Sequence, residues 1–298
     1  MSSPRRTTFH EPVLVDAVLE LLQPGPGWTC DCTLGAGGHA RALLGRAGSG
    51  RLLGIDADQE AVAEASQQLA RIRNNAEVVI RHASYVHLAD IVMELNLQPV
   101  TGVLFDLGAS YHQLTAGERG FSFDSDGPLD MRFDPGRGKP AAEVLRTASR
   151  KQVQEWLSGF GEEHFAGRIA RRIDEERGRL RTTRDLAEVV RGIVPGRFHR
   201  KSLSRVFQAL RIVVNRELEN VRQGIDAALE VLAPGGRCVV ISYHSLEDRI
   251  AKNRFRDGAR AGELNLLTKK PLRPGDDEVA RNPAARSARL RAAEKAAK

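Results

Sequence analysis

Nine residues near the amino end, Asp31-Cys32-Thr33-Leu34-Gly35-Ala36-Gly37-Gly38-His39, place an acidic side chain and three glycines between an apolar run and a helical pattern. Glycine permits positive φ and lets a ligand approach the backbone. The first N–H groups of the helix that follows are open donors. Such a turn suits a nucleotide-like ligand. Asp56 ends the next apolar run, where a carboxylate can accept hydrogen bonds from both hydroxyls of a ribose. Residues 35–40 also fit the G-x-G-x-x-G/A pattern of dinucleotide binders. Two features point instead to S-adenosylmethionine: Asp31 stands just ahead of the turn, and a second acidic strand end opens the unusual run Asp106-Leu-Gly-Ala-Ser110. On these residues alone a nicotinamide enzyme and another nucleotide binder stay open as alternatives.

Further candidates surround this centre. The net charge of +7 and a pI near 9.6 suit a polyanionic partner. His244-Ser-Leu-Glu247-Asp248-Arg249 follows a late strand pattern and either orients a base or phosphate or forms a satisfied strand-end network. Gly127-Pro-Leu-Asp130-Met131-Arg132 is charged within an irregular stretch, where it can clamp an extruded nucleotide or pack a loop. Arg205, Gln208, Ile212 and Asn215 share one helix face, whose polar members can reach a site. Arg168, Arg171, Arg172 and the Arg197–Arg200 cluster, with Phe198 and His199, are candidate phosphate contacts, a solvated helix face being the alternative for the first three. Arg286, Arg289 and Arg291 recur at near-helical spacing in a basic terminal stretch. That stretch reads either as a solvated, partly disordered tail or as a segment that orders on RNA.

The elements that must position these residues are legible as alternation. Val13 to Leu22 is amphipathic and is stopped by Pro24-Gly-Pro-Gly27. Strand-like runs at 28–32, 51–55, 78–81 and 103–106 alternate with helical patterns, which predicts a parallel sheet covered by helices. Residues 114–140 read as a long irregular loop, and helical periodicity then takes over. Thr182-Thr-Arg-Asp185 resembles a capping box. Residues 202–232 read as the longest helical stretch, after which Arg237 to Ser242 resumes the strand pattern. The expected fold class is α/β, with the core at 1–113 and 202–298 and an α-helical insertion at 114–201. Cys30, Cys32 and Cys238 lie in apolar runs and read as buried free thiols, with no metal site. Neither a membrane span nor a signal peptide is visible, so the expected location is the cytoplasm.

Several segments together resemble one family, the MraW (RsmH) methyltransferases of bacterial small-subunit ribosomal RNA. They are His10-Glu-Pro-Val-Leu14, DCTLGAGGH at 31–39, GIDAD at 54–58, DLGASYHQL at 106–114, RGFSFDSDGPLDMRFDP at 119–135, RVFQALRIVVNRELE at 205–219, ISYHSLEDR at 241–249 and NPAARSARLRAAEK at 282–295. The resemblance implies a Rossmann-like class I S-adenosylmethionine methyltransferase core with an inserted helical domain. The implied reaction is N4-methylation of a cytidine in the decoding region of 16S rRNA. By matched position, Gly37, Gly38, His39, Asp56, Tyr85, Asp106 and Gln113 would contact S-adenosylmethionine. Asp106 and Ser110 would wall the reacting centre with His244 at its rim, and Asp130, Arg132, Arg205, Asn215 and Arg249 would hold substrate. The chain departs from the family at Tyr85 and Tyr243, where Phe is frequent, and at Tyr111-His112, which replaces a smaller pair. A methyltransferase on another nucleic acid or a small molecule, and a catalytically silent RNA-binding assembly factor, stay as alternatives. Whether the partner is naked rRNA or the 30S subunit, and whether the protein forms a homodimer, is left open.

Overall fold

The structure is a computed structural model that describes residues 12–47, 50–72, 75–110, 113 and 117–297. His10, Glu11, Tyr111, His112 and Leu114, named above from their motifs, lie outside the described residues. The chain divides into two compact units, residues 1–108 with 218–298, and residues 109–217.

In chain order the first unit opens with α1 (Val15–Leu22), β1 (Trp28–Asp31), α2 (Gly38–Ala47), β2 (Arg51–Asp56), α3 (Gln59–Leu69), β3 (Glu77–His82), α4 (Leu88–Glu94) and β4 (Val100–Asp106). The second unit supplies α5 (Ala141–Thr147), α6 (Arg150–Gly159), α7 (Ala166–Glu176), α8 (Thr183–Ile193) and α9 (His199–Asn215). The chain then returns through α10 (Glu217–Val231), β5 (Leu232–Ser242), α11 (Ser245–Arg260), β6 (Leu264–Leu266), α12 (Asp276–Arg281) and β7 (Arg289–Lys295).

The strands form one seven-stranded sheet in the order β3-β2-β1-β4-β5-β7-β6. β1 to β5 are parallel, whereas β7 runs antiparallel to β5 and β6 antiparallel to β7. Successive side chains of a strand point to opposite faces, and here both faces are buried. Leu53, Phe105 and Val240 pack with Leu88, Val221, Ile225 and Phe255 on one side. Leu52, Leu104 and Val239 pack with Val18, Leu43 and Leu44 on the other. This order, with its antiparallel last strands, is the Rossmann-like class I methyltransferase core expected from the sequence. From the central pair β1 and β4 the sheet grows outward in both directions, so a crevice opens at their carboxyl ends. The three cysteines are free and buried, and burial pushes the Cys30 and Cys238 thiols up to about 12. They are packing groups, not nucleophiles.

Helices α5 to α9 gather around their own core, which includes Leu157, Ile169, Ile173, Leu186, Val190 and Phe207. Ser149 with Gln152 and Thr182 with Asp185 form capping boxes that start α6 and α8. The irregular stretch before α5 is anchored, because Phe121, Leu129 and Met131 are buried in this core. Gly120 (φ 71°) lets the chain cross itself: a Cβ there would lie 2.3 Å from the Pro128 carbonyl oxygen.

Three expectations are corrected. The long helical stretch is broken at Arg216 (φ 51°), which caps α9 in the left-handed region, so residues 202–217 belong to the second unit and not to the core. Residues 109–113 likewise belong to the second unit. The basic terminal stretch is no solvated tail, because residues 289–295 are a sheet strand with Leu290, Ala292 and Ala293 fully buried. Leu290 and Ala292 join one apolar cluster and Ala293 the other, so the strand lies between packed layers. Arg291 is buried against Asp248, through Nε at 2.6 Å and Nη2 at 3.2 Å, and is a structural cation rather than an RNA contact.

Candidate active site

The glycine turn at the end of β1 is tied to both neighbouring strands. The Leu34 N–H donates to the Ile55 carbonyl, and the Cys32 N–H donates to that of Leu104. Asp56, at the end of β2, accepts from the Gly35 N–H at 2.7 Å through Oδ2 and from the Asp58 N–H at 2.8 Å through Oδ1. Thr33 Oγ1 accepts from the Asp106 N–H at 2.6 Å, which joins the turn to the end of β4. Gly37 (φ 83°) makes the reversal into α2.

Three carboxylates end adjacent strands here: Asp31 on β1, Asp56 on β2 and Asp106 on β4. Asp31 is buried; its Oδ1 accepts from the Thr33 N–H at 3.2 Å, while Oδ2 has no hydrogen-bond partner among the described residues. Burial, with added repulsion from Asp106 and Asp56, pushes its carboxyl up to about 6 despite the Thr33 N–H that favours the charged form. Burial also pushes Asp56 up to about 6, against the two backbone donors that favour its charged form. A buried carboxylate oxygen left without a donor is costly, so this site has a built-in demand for one. Residues 31–39 contain no lysine or arginine. A cationic ligand relieves the crowded negative charge, whereas the pyrophosphate of a dinucleotide would add to it.

His39 completes the arrangement. Its Nε2 lies 2.9 Å from the Val13 carbonyl oxygen, which can only accept, so Nε2 carries the proton. Burial lowers its pKa, and the neutral ring then turns a bare Nδ1 toward Asp106 Oδ2 at 3.6 Å. Two acceptors facing each other suit an N–H donor between them. The other oxygen of Asp106 is held by the Tyr243 hydroxyl, which donates to Oδ1 at 2.8 Å. Burial and the Asp106 charge raise the Tyr243 pKa well above the phenolic range, so the hydroxyl keeps its proton. The roles of Tyr243, Thr33 and Val13 were not read from the sequence. The register of β5 beside β4 was the missing signal, since it brings the residue after Ser242 next to the residues that follow Asp106.

Tyr85 follows β3 and lies edge-on to Phe105, with ring centroids 5.4 Å apart. It also packs against Gly224 of α10, where a Cβ would sit 2.5 Å from the ring. His244 is the N-cap of α11: its Nδ1 accepts from the Glu247 N–H at 3.4 Å, and its Nε2 lies 3.1 Å from Glu247 Oε1 without hydrogen-bond alignment. Its Nε2 therefore has no hydrogen-bond partner among the described residues. Arg249 is exposed.

The other predicted residues belong to the second unit. Ser110 and Gln113 bond reciprocally, Ser110 N–H to Gln113 Oε1 at 2.9 Å and Gln113 N–H to Ser110 Oγ at 3.2 Å. Asp130 and Arg132 form a two-pronged ion pair at 2.7 Å, which holds the Asp130 carboxyl below its ordinary value. Asn215 spans the buried loop, donating to the Met131 carbonyl at 2.7 Å and accepting from the Phe133 N–H at 2.8 Å. Arg205 is half-buried on the face of α9 that the sequence assigned to it.

Known proteins agree with this architecture. A solved structure of NSun6 from Pyrococcus horikoshii aligns over 100% of this chain and 57% of its own, with a TM-score of 0.50 at 10% identity, a likeness of fold alone. Proteins named ribosomal RNA small subunit methyltransferase H share far more sequence. That of Syntrophotalea carbinolica is 45% identical over 97% of this chain and 98% of its own length. That of Thermomicrobium roseum is 46% identical over 98% and 95%. With the family model matching residues 7–296, and the glycine turn and its acidic strand ends inside that span, the chain belongs to the MraW methylase family.

Proposed function

We propose that this protein uses S-adenosylmethionine to methylate the exocyclic N4 of a cytidine in the decoding region of 16S rRNA, acting in the cytoplasm on the 30S subunit. The observation that carries the cofactor is the trio Asp31, Asp56 and Asp106 around a turn without lysine or arginine, with Asp31 Oδ2 buried and lacking a donor among the described residues. Near-full-length identity to relatives that bear the ribosomal RNA name supports the substrate. Among the described residues no helix is long and apolar enough to cross a membrane.

When bound, S-adenosylmethionine would supply an electrophilic methyl group on a positively charged sulfur, leaving as S-adenosylhomocysteine, and the proton released by the methylated amine would pass to solvent. Asp56 offers its remaining lone pairs to the ribose hydroxyls. Asp31 Oδ2, Asp106 Oδ2 and His39 Nδ1 form an acceptor set for the amino group of the methionine portion. Tyr243 fixes the Asp106 carboxylate so that Oδ2 stays turned toward His39. Tyr85 flanks the base of the cofactor, and Gly37 and Gly38 let it reach the backbone. Within the helical unit we propose that Ser110 with its partner Gln113, and Asp130, Arg132 and Arg205, serve nucleoside binding, and that Asn215 serves it by holding the 131–133 loop. His244 and Arg249 complete the rim. Positioning carries much of the rate, because a held pair of reactants reacts as one molecule.

The test is transfer of labelled methyl from S-adenosylmethionine to 30S subunits from a strain lacking the endogenous enzyme, followed by nucleoside mass analysis. N4-methylated cytidine that disappears with Asp106→Ala is the expected result. Cofactor binding without label in that nucleoside would overturn the substrate, and no cofactor binding at all would leave a silent RNA-binding factor.

A further inference from the structure

Two groups of arginines in the helical unit look alike in sequence but are used differently. On α7, Arg171 pairs with Glu175, and Arg172 pairs with Glu175 and Glu176, along the same helix face. These are self-neutralised pairs on a solvated surface. Arg168 of the same helix lies 5.8 Å over the half-buried Phe165 ring, and around the start of α9 the cations also lie on aromatic rings, one of which is exposed. The Arg197 guanidinium sits 4.8 Å over the Phe198 ring, and that of Arg200 sits 5.7 Å over Phe123. Phe198 is 40% exposed, the one exposed aromatic side chain among the described residues. Among those residues no carboxylate lies within ion-pair distance of Arg197.

The platform is preformed. Phe123 is anchored edge-on against the buried Phe207, with centroids 5.5 Å apart. The next turn of chain is pinned to α8, since Thr183 Oγ1 donates to the Ser125 carbonyl at 2.7 Å. Asp124 and Asp126 face Arg200 and Arg184 at 3.4 and 3.2 Å, in exposed pairs of the kind that contribute little to stability and exchange readily for another anion. The charge also runs against helix stability: α9 has no acidic residue and no side-chain cap in its first turn, yet Arg200 and Lys201 stand there, where cations are disfavoured.

We propose that Phe198, with Arg197, Arg200 and Arg184, forms a surface that binds a single-stranded segment of the RNA substrate. One base stacks on the Phe198 face, and the guanidinium groups take the flanking phosphates. A duplex is excluded as the partner of the ring, because its bases are covered by their neighbours. An apolar protein surface is a poor match, because a single ring among cations offers it little area. The choice of RNA over other polyanions rests on the function proposed above.

The full-length protein is titrated against a short labelled oligouridylate by fluorescence anisotropy across a range of salt. Phe198→Ala is expected to raise Kd about tenfold, the scale of one lost base–aromatic stack, while Phe198→Trp stays within about twofold of wild type. The pair R197A/R200A should flatten the slope of log K against log salt by about 1.4, at about 0.7 for each phosphate contact. The pair R171A/R172A should leave the Kd within about twofold. Phe198 is exposed, so an unchanged unfolding midpoint checks that its replacement leaves the fold alone. Unaltered binding by F198A, or an equal loss in the α7 pair, overturns the surface. Weaker 30S binding by F198A with unchanged oligouridylate binding also overturns it and assigns the patch to a ribosomal protein. Methyl transfer run in parallel separates the two readings. Transfer by wild type with no effect of Phe198 on RNA binding sinks the surface alone. Phe198-dependent RNA binding without any transfer sinks the activity and leaves the surface standing.

Discussion

Replacing Asp31 with Asn should make the ligand-free protein more stable at neutral pH while weakening cofactor binding. The Asp31 carboxyl is pushed from 3.8 to about 6, chiefly by burial. Between these two values the folded chain binds more protons than the unfolded one, so stability contributed by this group falls as pH rises through that window. Above about 6 both states are ionised and the cost is complete; below about 3.8 both are protonated and it vanishes. A gap of about two pH units corresponds to about 3 kcal/mol. Asparagine keeps the oxygen that accepts from the Thr33 N–H and puts an uncharged NH2 in place of the donor-less Oδ2. Urea unfolding of both proteins from about pH 4 to pH 7.5 should show no difference at the acid end and a D31N advantage approaching about 3 kcal/mol at the other. Calorimetric titration should show S-adenosylmethionine binding weakened about ten- to hundredfold, for a lost charge-assisted hydrogen bond of about 1.5–3 kcal/mol. Wild-type affinity should fall as pH drops through about 6, where Asp31 becomes protonated. A D31N protein less stable than wild type near neutrality, or a stability difference that does not vary with pH, would refute the reasoning.

Tyr243→Phe removes the donor to Asp106 Oδ1; it should raise the Kd for S-adenosylmethionine up to about tenfold without altering the fold, read by titration beside circular dichroism. Arg291→Ala leaves the half-buried Asp248 with only the longer contact to Arg289 at 3.6 Å. The loss should be about 1.5–3 kcal/mol in guanidinium unfolding, the scale of a lost charge-assisted hydrogen bond, and the double variant D248L/R291M should recover most of it. Thr182→Ala opens the capping box of α8, and equilibrium unfolding should report a loss of about 1 kcal/mol.

The parallel half of the sheet was legible because its physics is local. Runs such as Val103-Leu104-Phe105 are buried on both faces, and β1, β2 and β4 each end in an acid at the crevice. The capping box at Thr182 was legible for the same reason, since all its partners lie within one turn. The break at Arg216 was not legible, because no glycine or proline marks it and the amphipathic pattern continues across it. Arg289 to Lys295 read as helix or tail because alanine and arginine favour helix. Pairing with β5 overrides that preference, since it satisfies the backbone of a segment already enclosed on both faces.

The least legible residues were the polar ones whose partners lie far away in the chain. Asn215 on a helix face has the chemistry of a substrate contact, and nothing local argues otherwise. Yet Met131, 84 residues earlier, is fully buried in an irregular loop. Buried backbone outside helices and sheets needs donors and acceptors from elsewhere. The Asn215 amide provides one of each, to the Met131 carbonyl and the Phe133 N–H. The Tyr243 hydroxyl serves Asp106 across 137 residues in a similar way. In both cases the residue type announces hydrogen-bonding capacity, and only the path of the chain decides whether a ligand or the protein itself consumes it.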